Sequence, residues 1–190
     1  APTMADITVL RWRPFRLPMA HRFEAASGVL DAREGVLLEL RTADGTIGLG
    51  EASPMPSLGG GTCEDVVRLL ERHGLALDTL PADGPGVAAL RCAVDMALLD
   101  LEGRASGQSV AALLAEAGET PASAVQVNAV LGDGSPEEVA AYARQAVQSG
   151  YEVLKLKVGV GALEHDLALV AAVREACPDA VVRLDANGAW

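Results

Sequence analysis

Near the end of this chain, two apolar runs of strand length flank an amphipathic stretch, and each run ends in charge. The first is YEVLKLKVG, with Lys155 and Lys157 two residues apart. The second is VVRLDANGAW, with Asp185 at the end of its apolar part. Apolar residues recur at helical spacing from Leu163 to Ala176 between them, and Cys177-Pro178-Asp179 stops that helix. Strand, helix, strand at this spacing predicts a crossover unit, whose strands run parallel. A similar unit precedes it. VQVNAVLG reads as a strand, and Ser135-Pro136-Glu137-Glu138 opens a helix to about residue 149. Ser135 is its N-cap, Pro136 its first residue, Glu138 its capping-box partner and Gly150 its terminator. From about residue 124 the order is therefore β-α-β-α-β, and the charges fall at the carboxyl ends of the strands, where α/β folds place their chemistry.

The first 120 residues follow a different grammar. Alternation in ITVLRWRPFRL predicts a half-buried strand over 7–17. Shorter strands follow over 35–40 and 47–50, with Ala43-Asp44-Gly45 as the hairpin turn between them. Residues 18–28 are expected to be a loop, as is the Pro/Gly-rich stretch 54–61. Thr62 with Asp65 caps a predicted helix over 63–73. Further helices are expected over 87–104 and 110–117. Strands first and helices after make an α+β unit. The domain reading is residues 1–120 as this α+β unit and 121–190 as the start of a β/α layer.

Composition narrows the classes of function. Half the residues are hydrophobic and only 3% are aromatic, so the cores must be built mainly of Val, Leu and Ala. The net charge of −11 disfavours nucleic acid, whose phosphates need a basic face. No apolar run approaches the roughly 20 residues of a membrane span, and the start lacks a secretory pattern, with Met4 as the expected natural start. Cys63, Cys92 and Cys177 are odd in number and widely spaced. Cys92 and Cys177 read as small buried hydrophobes, and a reducing, cytoplasmic location is expected.

Residues two apart on a strand point to one face, roughly 6.6 Å apart along it. Lys155 and Lys157 therefore project together. Each lowers the other's pKa, and burial would lower it further, which is a route to a lysine base. The pair alone fits equally well a solvated strand end whose lysines snorkel. Asp185 suits a hard cation such as Mg²⁺, and Asn187 could face the same site; taken alone, the commoner use of Asp185 or Asn187 is a cap on the turn before Gly188. Together the three charges describe equipment for removing a proton α to a carboxylate, with a metal stabilising the enediolate.

KLKVG followed by RLDANGAW resembles the enolase superfamily in its muconate-lactonizing-enzyme-like subgroup, where a lysine base works with Mg²⁺. GLGEASPMPSLGGGTCEDV and CAVDMALLDLEGRASGQSVAALL resemble segments of that family's capping domain. The resemblance implies an α+β capping domain followed by the first three β/α units of a TIM-type (β/α)7β barrel, an incomplete barrel. It implies Lys157 as the base, Lys155 as its tuner and contact to the substrate carboxylate, Asp185 as a Mg²⁺ ligand and Asn187 as a lining residue. The loop with His21 and the region with Ser53 and Met55 would cover a small-molecule carboxylate substrate, and a homo-oligomer is expected. EASPMPSLGGGT and RLDANGAW are most similar to the o-succinylbenzoate synthase branch, which implies the lyase dehydration of menaquinone biosynthesis. Dipeptide epimerases and N-acylamino acid racemases share the same lysines and are the alternative.

The family's later strands carry the remaining metal ligands and an opposing lysine, so the 190 residues are expected to be a fragment without turnover. Weak Mg²⁺ affinity and a tendency to associate should accompany it. A non-catalytic assembly module is a further alternative. A nucleotide-binding doubly wound domain is disfavoured, because only Gly132-Asp133-Gly134 follows the first strand of the α/β part. Gly59-Gly60-Gly61-Thr62 lacks the lysine of a phosphate loop and reads as a flexible loop plus cap. Arg33 with Glu34 reads as a surface pair, His165 as a surface residue, and Asp95 and Asp100 as buried contacts between the two halves.

Overall fold

The computed structural model describes residues 2–25, 28–116, 118–132 and 134–189; the side chains of residues 5, 20–25 and 28–30 lie outside that description. The chain divides into two compact units, Ala1–Ala122 and Ser123–Trp190, each with its own core.

The first unit is an antiparallel meander with helices on one face. Its strands are β1 (Ile7–Ala25), β2 (Gly28–Thr42) and β3 (Ile47–Ala52), in the order β1-β2-β3. Helices α1 (Cys63–His73), α2 (Val87–Ser106) and the short α3 (Val110–Leu114) follow. The loop expected over 18–28 is instead largely strand, since β1 continues to Ala25. Pro18 opens the stretch expected as a loop, but β1 is an outer strand, where a residue without an N–H is tolerated. The pairing skips residues between Pro18 and Phe23, a bulge that absorbs that proline.

Val36, Leu38 and Leu40 of β2 alternate into the core, where they meet Val66 and Leu70 of α1 and Leu90, Ala97 and Leu101 of α2. β3 can lie under α2 only because Gly48 and Gly50 face the helix. A Cβ on Gly50 would stand 1.9 Å from the carbonyl oxygen of Ala93, and one on Gly48 would stand 2.1 Å from that of Ala97. The contacts of Asp100 lie within the first unit. Its carboxylate accepts the Leu49 N–H of the outer strand β3 at 2.9 Å and pairs with Arg104 at 3.0 Å. Asp95 is exposed, and so is Cys92, which lies on the outward side of α2 rather than in the core.

The second unit contains β4 (Asn128–Leu131), α4 (Pro136–Gln148), β5 (Val153–Lys157), α5 (Leu163–Ala176) and β6 (Val181–Asp185). The sheet order is β4-β5-β6, all parallel. β4 is shorter than expected: Val125 and Val127 precede it and are exposed. The strand period of two sorts the faces. Leu131, Leu154 and Leu156 point to the helices and bury against Val139, Ala143, Leu169, Val173 and Cys177. Val130, Val153, Lys155, Lys157, Arg183 and Asp185 therefore share the opposite face. The register sets Lys155 beside Arg183 and Lys157 beside Asp185. Among the described residues no helix is long and apolar enough to cross a membrane.

Candidate active site

Two parallel strands end side by side with their charges in contact. Lys155 Nζ lies 2.8 Å from Asp185 Oδ2, and Lys157 Nζ lies 2.9 Å from the same oxygen. Lys157 also donates to Asn187 Oδ1 at 2.6 Å, and the Asn187 N–H donates to Asp185 Oδ1 at 3.0 Å. Hydrogen bonds from Lys155 and then Lys157, together with that backbone N–H, hold the Asp185 carboxyl well below the usual carboxylate range. Asn187 has φ 47°, the left-handed region that asparagine tolerates better than most residues. This turn brings its side chain back over the lysine.

The cluster is graded in exposure. The side chain of Lys157 is 14% exposed, that of Asp185 20% and that of Lys155 36%. The backbone holds it from below, since the Val158 N–H donates to the Asp185 carbonyl at 3.1 Å, one residue past the last pair of the ladder. Lys155 and Lys157 are also the only two lysines in the chain; the other thirteen basic residues are arginines. A guanidinium supplies charge but cannot give up its proton near neutral pH, whereas an ammonium can. Surface charge here is left to arginine, and lysine occurs only where two strands end beside a carboxylate. That pattern was present in the sequence and passed unread.

Of the residues singled out in the sequence, Lys155, Lys157, Asp185 and Asn187 come together. The other candidates belong to the first unit. The side chain of His21 lies outside the described residues. Ser53 and Met55 follow the end of β3, and the Ser53 hydroxyl donates to the Glu51 carboxylate. Arg33 is not paired with Glu34, which meets Arg16 at 3.2 Å. Its guanidinium instead holds the loop after β3, donating to the Ser53 carbonyl at 2.6 Å, the Pro54 carbonyl at 3.4 Å and the Met55 sulfur. The Gly59–Thr62 stretch ends in a capping box. The Thr62 N–H goes to Asp65 at 2.8 Å and the Asp65 N–H to the Thr62 hydroxyl at 3.2 Å, so neither donor is left for a phosphate.

Asp185 has the chemistry of a ligand for a hard divalent ion, with Oδ2 met by the two lysines and Oδ1 by the Asn187 N–H. It fits as one member of a ligand set. Among the described residues, no group of three or more His, Cys, Asp or Glu could hold a metal ion.

The two halves of this arrangement match known protein families. Residues 7–115 match the N-terminal domain of mandelate racemase / muconate lactonizing enzyme, and residues 138–190 match the enolase C-terminal domain-like family. The chain belongs to the muconate-lactonizing-enzyme-like subgroup of the enolase superfamily. It is 34% identical to a hydrophobic dipeptide epimerase of Citrifermentans bemidjiense, covering 90% of this chain and 50% of that protein. It is 28% identical to an N-succinyl-L-Arg/Lys racemase of Bacillus cereus, covering 97% and 53%. The crystal structure of a dipeptide epimerase from Enterococcus faecalis, complexed with Mg and the dipeptide L-Leu-L-Tyr, superposes with a TM-score of 0.85 at 29% identity. That match covers 97% of this chain and 55% of the epimerase. The chain thus spans about half the length of these relatives. Their activities are epimerisation and racemisation, and the expected o-succinylbenzoate synthase branch finds no support among them.

Proposed function

We propose that these residues belong to an enzyme that moves the α-proton of a dipeptide or an N-acylated amino acid, as an epimerase or racemase. Lys157 is the base, and Lys155 assists it and meets the substrate carboxylate. The observation that carries this reading is the pair of lysines, unique in the chain, in contact with one carboxylate where parallel strands end. In this reading the second unit is the start of a (β/α)7β barrel and the first its capping domain. Asn187 holds the Lys157 amine beside Asp185 until substrate enters. Ser53, Met55 and His21 are assigned to substrate contact on the strength of the resemblance, as is the homo-oligomer, while the cytoplasmic location rests on the free, widely spaced cysteines.

Asp185 is proposed as one ligand of Mg²⁺. A bound divalent ion offsets the negative charge that builds on the substrate carboxylate when its α-proton leaves. Asp185 would hold the ion through the carboxylate that now pairs with Lys155 and Lys157, and Lys157 would serve as the base beside it. The low exposure of Lys157 keeps water from the amine, and the Val158 bond to β6 holds the strand ends together while the proton moves.

The test is α-proton exchange in deuterated buffer with Mg²⁺, followed by proton NMR, in a protein of the relatives' length that contains these residues. Panels of dipeptides and N-succinyl amino acids should lose their α-proton signal. Lys157→Arg keeps the charge but cannot become neutral to accept a proton, and should slow exchange by about 10²- to 10⁴-fold. The 190-residue chain alone is expected to show weak Mg²⁺ affinity and no turnover. Exchange that survives Lys157→Arg with substrates of both α-configurations would sink the assignment of the base. Dehydration of a cyclohexadiene carboxylate in place of exchange would return the o-succinylbenzoate synthase reading.

A further inference from the structure

One buried charge takes no part in the cluster. Asp166, in the first turn of α5, is 6% exposed, the one buried polar or charged residue of the described core. Its Oδ2 accepts the Gly159 N–H at 2.9 Å. Gly159 stands two residues after Lys157, in the loop that joins β5 to α5, and has φ 83°, a conformation natural to glycine. The residue between them, Val158, is 3% exposed and donates its N–H to the Asp185 carbonyl. The backbone just beyond Lys157 is therefore tied on two sides, to β6 through Val158 and to α5 through Gly159.

Strand ends fray because their last groups lack ladder partners. β5 ends at Lys157, so the placement of its amine depends on what holds the next two residues. We infer that Asp166 is a positioning residue for Lys157. By fixing Gly159 it prevents the strand end from lifting away from β6, and so keeps the amine on Asp185 and Asn187. A carboxylate suits this task, because a charged acceptor makes a shorter and stronger bond to a backbone N–H than a neutral one. Its place in the first turn of α5 stabilises the charge through the helix dipole. The inference rests on the proton-transfer reading only in naming Lys157 as the reactive group; the positioning itself is a property of the fold.

Because the chain has only two lysines, amine acylation reads the effect directly. The 190-residue chain is labelled with acetic anhydride, and the rates at Lys155 and Lys157 are compared by tandem mass spectrometry. Amide exchange over residues 158–162 is followed in parallel. In Asp166→Ala, labelling of Lys157 should rise severalfold relative to Lys155, and exchange at Gly159 should quicken. Asp166→Asn, whose neutral amide oxygen is a weaker acceptor of the same shape, should raise both readings by a smaller amount and serves as the readout if the alanine variant does not fold. If Gly159 exchange quickens while Lys157 labelling keeps its ratio to Lys155, Asp166 is structural only and the inference is overturned. Unchanged Gly159 exchange in either folded variant overturns it as well. Neither readout requires turnover, so a failure of the epimerase reading leaves the result interpretable.

Discussion

At the scale of single residues, the carboxylates that hold the fold differ in setting from Asp185, the one proposed to do chemistry. Asp65 closes the capping box of α1. The Thr62 N–H, then the Thr62 hydroxyl, then Arg68 hold its carboxyl below the usual carboxylate range. Its folded pKa is therefore lower than its unfolded one. The stabilisation is complete above the unfolded value of about 4 and is lost as pH falls from there through the folded value. Asp65→Asn should be less stable than the parent at pH 7, and the gap should narrow at pH 3; denaturant titrations at the two pH values measure this. Thr62→Ala removes the other half of the box and should cost about 1 kcal/mol at neutral pH. The capping boxes of α1 and α4 were legible, because Ser or Thr followed three residues later by an acid is a local signal. The tie between Asp166 and Gly159 was not, because an acid in a first helical turn usually faces solvent.

At the scale of elements, close approach governs both units. β3 meets α2 backbone to side, and the two glycines that allow it leave no room for a methyl group. Gly50→Ala should destabilise the first unit by about 1–3 kcal/mol or more, because the obstruction is a helix carbonyl rather than a movable side chain. A lowered midpoint in thermal unfolding followed by circular dichroism checks it. In the second unit, Leu156 is fully buried between the two lysines of its strand. Leu156→Ala should cost about 2–5 kcal/mol, and it should raise amine labelling at both Lys155 and Lys157 by loosening the strand that carries them. Helix bounds read well from periodicity and caps, with α1 and α5 found where expected. The long reach of β1 did not, since turn chemistry at Pro18 and Gly28 is a local signal and its override came from pairing with β2.

At the scale of the whole molecule, the second unit shows apolar groups that its own helices do not cover. Val181 and Leu184 on β6, and Leu163 and Leu167 on α5, are each about half exposed or more. β4 and β6 are the outer strands of the sheet. Open parallel edges beside exposed apolar side chains favour association. The 190-residue chain should sediment faster as its concentration rises, and Leu167→Glu should reduce that dependence. Sedimentation velocity at several concentrations decides it.

By itself the sequence determined the α+β unit followed by parallel β/α units, the capped helices, and the choice of Lys155, Lys157, Asp185 and Asn187. All of these follow from period, spacing and residue type over a few turns of chain. The tertiary structure alone decided that one carboxylate serves both lysines, that Arg33 grips the loop after β3, that Asp100 satisfies an outer strand, and that Asp166 ties down the end of β5. Each joins groups brought together by packing, where burial and the pairing of lone polar groups depend on neighbours that no local pattern names.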